Sequence, residues 1–187
     1  GFYILRDDLD TGKPDNPLKL PAFPYELAYA IQDRMFRDTG ELFYSAFPGD
    51  PFYDDFITGE GAVLPPGTFP GGGPTALAEF FGDHMVVNGM IWPKANVEPR
   101  NYRMRLLNGT DSRFMVLRFR IAASLEAEDL DHASAPIPFW VIGSDQGLAG
   151  SAVPTEQLVF EPGSRYDIVF DFSAVPTGSR VTMETIP

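Results

Sequence analysis

The chain has 187 residues, with 26 acidic and 14 basic side chains, a formal net charge of −12, two histidines and no cysteine. Its length fits one large domain or two small ones. The absence of cysteine excludes disulfide frameworks, cysteine zinc sites, iron–sulfur clusters and thiol nucleophiles. The negative charge argues against nucleic acid or an anionic membrane as a partner, and no apolar run approaches the ~18 residues of a membrane-spanning helix.

Short alternating stretches, separated by 18 glycines and 18 prolines, predict an all-β chain. One example places Met104 and Leu106 on one face of a strand and Arg103 and Arg105 on the other. The predicted strands are Tyr25 to Arg34, Met85 to Asn88, Tyr102 to Leu106, Phe114 to Ile121, Phe139 to Ile142, Leu158 to Glu161 and Arg165 to Phe172. Such spacing is typical of a Greek-key β-sandwich or barrel, here with long Gly/Pro-rich loops.

Three stretches interrupt the strand pattern. Residues 8–22 are polar and contain proline, which predicts a linker. Residues 59–75 are so rich in glycine and proline that we expect a long surface loop, followed by one helical turn at 76–81. Residues 124–136 are acidic and predict an exposed, dispensable segment with a short helix that Ser124 caps.

No residue set has the spacing of a metal site. His84 and His132 lie far apart in sequence, without a second histidine on the same element, so we interpret both as non-ligands. Acidic side chains cluster near His132 but lack the glycine and spacing of an EF-hand loop, and a solvated face is the preferred interpretation. They are Glu126, Glu128, Asp129 and Asp131.

Three further motifs have a structural interpretation. Residues 143–147 (GSDQG) only superficially resemble a nucleophile elbow and predict a turn. Residues 71–73 are three glycines without the lysine and helix of a phosphate-binding loop, and predict a flexible bend. Residues 108–110 (NGT) fit a glycosylation sequon, but we interpret them as a hairpin turn between the strands at Tyr102 and Phe114. We therefore assign no catalytic, cofactor-binding or metal-binding residue.

Two short motifs indicate contacts that hold the fold together. Residues 161–167 (EPGSRYD) lead a turn into a strand, and the hydroxyl of Tyr166 is expected to bond to upstream backbone and pin a Greek-key corner. Asp33, in the run Gln32-Asp33-Arg34, is expected to accept a hydrogen bond from backbone or from Arg34.

A series of motifs recurs here in an order that resembles the middle cupredoxin domain of three-domain multicopper oxidases, in the branch of spore-coat laccase, bilirubin oxidase and phenoxazinone synthase. The resemblance covers most of residues 23–187, and residues 1–7 resemble the last strand of the preceding first domain. The motifs are residues 31–34 (IQDR), 40–44 (GELFY), 82–83 (GD), 87–89 (VNG), 92–93 (WP), 97–100 (VEPR), 102–108 (YRMRLLN), 142–145 (IGSD), 147–148 (GL) and 161–167 (EPGSRYD).

The resemblance implies a copper-free middle domain. In the family, His-x-His pairs of the first and third domains and a Cys-His segment of the third hold copper, and none of these segments occurs in this sequence. The chain departs from the family's usual Gly-Asp-Thr with His84, and residues 124–136 form an apparent insertion. The parent would oxidise phenolic or similar donors by one electron and reduce dioxygen to water, with copper as its cofactor.

The partners implied are the first and third cupredoxin domains of the parent chain. We also expect the fragment to self-associate weakly, with the apolar segment Gly1 to Leu5 docked on an edge of its own domain or of a second copy. The competing interpretations are a free-standing β-sandwich binding module and a metal-dependent enzyme centred on residues 124–136. The sequence leaves the reducing substrate and the cellular compartment open.

Overall fold

The computed structural model describes residues 1–43 and 79–186. The predicted loop at 59–75, its three glycines and residues 76–78 of the predicted turn at 76–81 lie outside these ranges. Within them the chain forms eleven strands and one short 3-10 helix at Phe172–Ala174. The strands are β1 (Glu26–Phe36), β2 (Leu42–Phe43), β3 (His84–Val87), β4 (Met90–Ile91), β5 (Asn101–Asn108), β6 (Met115–Ile121), β7 (Phe139–Ser144), β8 (Gly147–Thr155), β9 (Leu158–Phe160), β10 (Arg165–Asp171) and β11 (Val181–Ile186).

The strands form two sheets that pack face to face. The large sheet has the order β4-β3-β1-β5-β10-β7-β8, with β2 attached to β1, and the small sheet has the order β11-β6-β9. The pair β1–β5 is parallel, whereas the neighbouring pair β10–β5 is antiparallel. The all-β sandwich prediction is confirmed, and each of the seven predicted strands is present.

The hydrophobic core lies between the sheets, as the alternation predicted. Met104 and Leu106 of β5 face the buried side chains Leu117 and Phe119 of β6 across this core. The ring of Phe119 makes an edge contact with that of Phe139, with centroids 5.2 Å apart. Since burial of a large apolar side chain stabilises a fold by roughly 1.5–3 kcal/mol, this layer supplies the main driving force for folding.

The predicted turn at residues 143–147 is confirmed as a two-residue hairpin loop between β7 and β8. Ser144 pairs with Gly147, which has a positive φ of 111°. Gly143 is required by close packing, because a Cβ there would lie 2.6 Å from the carbonyl oxygen of Gly147. The hairpin carries β8, the exposed edge strand of the large sheet.

No helix in residues 1–43 and 79–186 is long and apolar enough to span a membrane.

Candidate functional site

Six charged side chains gather on the outer face of the large sheet, opposite the hydrophobic core. Strand alternation turns Arg103 and Arg105 of β5 to this face, and the strand register places Glu26 of β1 beside Arg103 and Asp167 of β10 beside Arg105. The N-terminal segment adds two more side chains. We call this set the charged cluster: Arg6, Asp10, Glu26, Arg103, Arg105 and Asp167.

Arg103 lies at the centre of the cluster and is only 1% exposed. Its Nε and Nη2 atoms donate to the carboxylate of Asp167 at 2.6–3.1 Å. Its Nη1 atom donates to Oδ1 of Asp10 at 2.9 Å, and its Nη2 atom lies 2.9 Å from Oδ2 of the same residue. Two carboxylates therefore grip one buried guanidinium in the paired geometry that gives the strongest hydrogen bonds of this type.

The other two arginines close the cluster around Glu26. Arg105 donates from Nε to Oε1 of Glu26 at 2.7 Å and lies 3.2 Å from Asp167. Arg6 donates to Oε2 of Glu26 at 2.6 Å and to Oδ1 of Asp10 at 3.0 Å. Three positive and three negative charges balance, and each carboxylate accepts from at least one guanidinium.

The pKa values of the cluster follow from this pairing. Burial acts to raise the pKa of Asp10, but hydrogen bonding to Arg103 and the nearby arginine charges outweigh it, so that pKa is lowered. Burial likewise acts to raise the pKa of Glu26. Its hydrogen bonds to Arg6 and Arg105 outweigh this effect, so the pKa of Glu26 is lowered. Burial acts to lower the pKa of Arg103, and its bonds to Asp167 and Asp10 raise it. The ionised forms of Asp10, Glu26 and Arg103 are therefore favoured at neutral pH.

Local turns direct residues 6–22 onto the sheet. The carboxylate of Asp7 accepts from the backbone N–H groups of Leu9 and Asp10, which turns Asp10 inward. Asn16 is 3% exposed, and its side chain bonds to the backbone of Lys13 and Leu20. The segment predicted as a linker is thus packed and hydrogen-bonded, while the domain division at residues 7, 22 and 187 stays a prediction.

The chemistry of the cluster is that of an anchor. Its carboxylates are saturated by arginine donors, so none is a free base, and its members join strands β1, β5 and β10 to residues 6–10. Sequence reasoning placed Arg103 and Arg105 on the correct face but did not identify the cluster. The alternating arginines of β5 were a usable signal, because each one predicts a carboxylate partner if it is buried.

The two histidines do not come together. His84 on β3 lies 2.6 Å from Oδ1 of Asp83 through Nδ1, and its ring packs against Trp92 and Phe36. His132 is exposed in the acidic segment, with a positive φ of 59°. No group of three or more His, Asp or Glu side chains in residues 1–43 and 79–186 is placed to hold a metal ion. This donor set does not fit the copper sites of the resembled family, which need several histidines and a cysteine.

The acidic segment is exposed, as predicted, but it forms no helix, so the prediction of a short helix capped by Ser124 is wrong. Arg180 donates to the carbonyl oxygens of Leu125 and Ala127, so these oxygens accept from a side chain where those of a helix accept from backbone N–H groups. The segment returns along β6, where the N–H of Ser134 donates to the carbonyl oxygen of Ile121 at 2.9 Å. Its carboxylates stay at the surface, which fits the solvated face predicted from the sequence.

Comparisons with known proteins agree on one family. No family model matches the chain. It is 32% identical over 174 residues to a laccase of Bacillus subtilis, which covers 93% of this chain and 27% of the laccase. It is 42% identical over 97 residues to a bilirubin oxidase of Albifimbria verrucaria, which covers 52% of this chain and 16% of that protein. The chain is a domain of the multicopper oxidase family.

The fold of this multicopper oxidase domain agrees with that assignment. The crystal structure of a variant of the McoA multicopper oxidase from Aquifex aeolicus superposes with a TM-score of 0.67 at 24% identity, over 97% of this chain and 31% of that one. The domain thus spans about a quarter to a third of the length of these proteins.

The motif at residues 108–110 is a corner between the sheets of the domain, so the hairpin prediction is wrong. Strands β5 and β6 lie in different sheets and do not pair. The buried Asn108 donates from Nδ2 to the carbonyl oxygens of Arg113 and Phe160, and its Oδ1 accepts from Thr110. Because both amide hydrogens are used inside the fold, the glycosylation interpretation also fails.

The prediction that the Tyr166 hydroxyl pins a Greek-key corner is also wrong. Tyr166 is only half-buried, and its hydroxyl forms no hydrogen bond with the residues that the structure describes. Burial and the charges of Glu161 and Asp145 raise its pKa. Tyr102 makes the corner contact instead, because its Oη accepts from the backbone N–H of Glu98 at 3.0 Å, four residues upstream. The alternation along β5 places Tyr102 on the core face with Met104 and Leu106, but it gives no sign of this bond.

Asp33 joins two of the motifs on which the resemblance rests. It is fully buried, and its Oδ2 accepts from the N–H of Gly82 at 2.8 Å and from Nε of Arg113 at 3.0 Å. The expected backbone donor is therefore present, whereas Arg34 donates only to the carbonyl oxygen of Asp33. Gly82 is needed because the backbone of Asp33 and Arg34 leaves no room for a Cβ.

Proposed function

We propose that this chain is the copper-free middle domain of a three-domain, laccase-like multicopper oxidase, where it joins the first and third cupredoxin domains and forms part of the wall of the substrate approach. The observation that carries the proposal is the extent of the match. Homology to the Bacillus subtilis laccase covers 93% of this chain but only 27% of the laccase. A chain of this size accounts for one domain, and the copper-binding segments of the family belong to others.

The charged cluster supports the connector role. Residues 1–7 resemble the last strand of a preceding domain, and the cluster fixes the adjoining residues 6–10 on the sheet through Arg103, Arg105 and Glu26. Such ion pairs would set the position of a preceding domain relative to this one, because they hold the chain where it enters. Removing one partner of a buried pair leaves an uncompensated charge, so the geometry is strongly maintained.

For the complete polypeptide we propose the oxidation of phenolic or similar donors, one electron at a time. Four electrons and four protons convert one dioxygen molecule into two water molecules. The histidines of this chain do not fit a copper site, so its own residues contribute architecture and no redox group.

The test has two arms. Sequencing the gene on both sides of this segment should reveal His-x-His motifs before Gly1 and a His-Cys-His segment well after Pro187. The complete polypeptide, loaded with copper, should oxidise a phenolic dye, whereas the 187-residue chain should bind no copper stoichiometrically and oxidise nothing. A gene without those motifs, or dye oxidation and a blue absorption band from the 187-residue chain alone, would overturn the proposal. The first result would favour a free-standing binding module.

A further inference from the structure

The free edge of the large sheet exposes four large apolar side chains within eight residues. Strand β4 pairs with β3, and no other strand in the described ranges covers its second edge. Met90, Ile91 and Trp92 are 64%, 45% and 61% exposed, and Val97 is 39% exposed. We call residues 90–97 the edge strip. Trp and Met are side chains that protein interfaces favour, and grouped exposure of this kind marks a contact surface.

The turn before the edge strip is firmly held. Asn88 and Gly89 both have positive φ, which is the conformation of a tight hairpin turn. The side chain of Asn88 accepts from the N–H of Ala30 at 2.9 Å and donates to the carbonyl oxygen of Ala28 at 2.8 Å. The start of the strip is therefore fixed, because the turn is bonded to β1 and Met90 and Ile91 pair with β3.

Trp92 is presented to solvent at a conformational cost. Its φ of 40° lies in the left-handed region that bulky residues avoid. The backbone N–H of Trp92 donates to the carbonyl oxygen of Met85 at 3.0 Å, and the indole ring packs on the ring of His84 with centroids 5.2 Å apart. The fold thus fixes an indole that is still 61% exposed, and a rigid exposed tryptophan is the usual energetic centre of an interface.

The charge of the edge strip differs from that of the chain as a whole. Residues 90–97 contain no carboxylate and one lysine, in a chain with 26 acidic residues. An apolar partner surface therefore fits better than a basic one, since the acidic regions lie elsewhere.

The size of the strip decides between a second copy and a neighbouring domain. Four partly exposed side chains are far from the roughly 800 Å² that each partner contributes to a standard stable interface. A covalently linked domain needs much less area, because the link makes the contact intramolecular. The matched laccase is almost four times as long as the aligned segment, so its homology leaves room for such domains.

We propose that the edge strip docks on an apolar surface of a neighbouring domain of the same polypeptide, with Trp92 as its central contact. This inference rests on the proposed function and names the surface through which the connector role would act.

The first test is hydroxyl-radical footprinting of the 187-residue chain and of the complete polypeptide. Oxidation of Met90 and Trp92 should be fast in the short chain and severalfold slower in the complete polypeptide. Leu125, 54% exposed in the acidic segment, is the control and should react equally in both. Equal reactivity of Met90 and Trp92 in the two proteins would overturn the inference, and so would slow oxidation in the short chain, since another part of that chain would then cover the strip.

A second test uses substitution. Trp92→Arg should lower the thermal midpoint of the complete polypeptide more than that of the short chain, because only the former buries the indole. The matched variant Leu125→Arg should affect both proteins equally. An equal effect of Trp92→Arg on the two proteins would contradict the inference.

Dye oxidation by the complete polypeptide separates the two proposals. Oxidation together with an unprotected strip would keep the proposed function and reject the docking surface. A protected strip without oxidation would keep the docking surface and reject the oxidase function.

Discussion

Residues 6–22 and the acidic segment 124–136 are both polar, both lack regular secondary structure, and both are attached to the sandwich by arginines. The first is held through its side chains, since Asp10 and Arg6 enter the buried charged cluster. The second is held through its backbone, since Arg120 and Arg180 donate to its carbonyl oxygens while its carboxylates face solvent.

This difference determines which substitutions each segment tolerates. A contact to a backbone carbonyl survives most changes of side chain, whereas a buried ion pair depends on both partners. Polar composition alone therefore does not distinguish a spacer from a structural part of the fold. Substitutions in the charged cluster and in the acidic segment test this difference.

The largest effect is expected at the centre of the cluster. Arg103→Met removes the buried guanidinium and leaves Asp10 and Asp167 short of donors, so we expect it to lower the free energy of unfolding by about 3–5 kcal/mol. Urea denaturation of the variant and the wild type measures this. The matched control is Arg118→Met, whose partly exposed pair with Glu184 should be worth no more than about 1 kcal/mol. Equal effects of the two variants would contradict the description of the cluster.

A smaller loss of folding stability is expected when the wild-type protein is acidified. The native pKa values of Asp10 and Glu26 lie below their ordinary values of 3.8 and 4.5. Stabilisation from these groups is therefore complete above the ordinary values and is lost as the pH falls below them, through the lowered native pKa values. Denaturation from pH 6 to pH 2 should show this loss in the wild type and a weaker one in Arg103→Met. Parallel curves for the two proteins would count against it.

Within the acidic segment, substitution of one side chain, Ser134, should lower the free energy of unfolding. The Oγ atom of Ser134 accepts from the N–H of Ile121 at 2.9 Å, and Ser134→Ala removes this acceptor at the end of β6. We expect a loss of about 1 kcal/mol in urea denaturation. Ser151→Ala, on the exposed strand β8, is the control and should be neutral. A neutral Ser134→Ala would show that the segment does not support β6.

The smallest effect is expected from the exposed carboxylates. Replacing Glu126, Glu128, Asp129 and Asp131 with their amides should change the free energy of unfolding by no more than about 0.5 kcal/mol, because none is buried. Replacing residues 124–136, the segment predicted to be dispensable, with a short Gly-Ser link should leave the melting temperature within a few degrees. Unfolding of either variant would mean that these residues pack into the core.

The sequence predicted the parts of the fold that depend on local alternation. Strands β5 and β6 were found because bulky apolar residues alternate with polar ones along them. Strand β8 was missed because its residues, GLAGSAVPT, are mostly small and lie on an exposed edge, where no buried face imposes a pattern.

The candidate site was largely beyond local reasoning. Asp10 is separated from Arg103 by 93 positions, and no periodic pattern marks a single aspartate as buried. The alternation did place Arg103 on the face away from the core, but that face is covered by the N-terminal segment. Asn108 shows the same limit, since its Asn-Gly sequence favours a hairpin, while packing between two sheets determines its actual role.

The bond between Asp10 and Arg103 fastens the N-terminal segment to the sheet. A double-mutant cycle of Asp10→Ala and Arg103→Met, followed by urea denaturation, tests it most directly. We expect a coupling free energy of about 1.5–3 kcal/mol, because the two side chains form charge-assisted hydrogen bonds in a buried site. Strictly additive effects, with a coupling free energy near zero, would contradict the account.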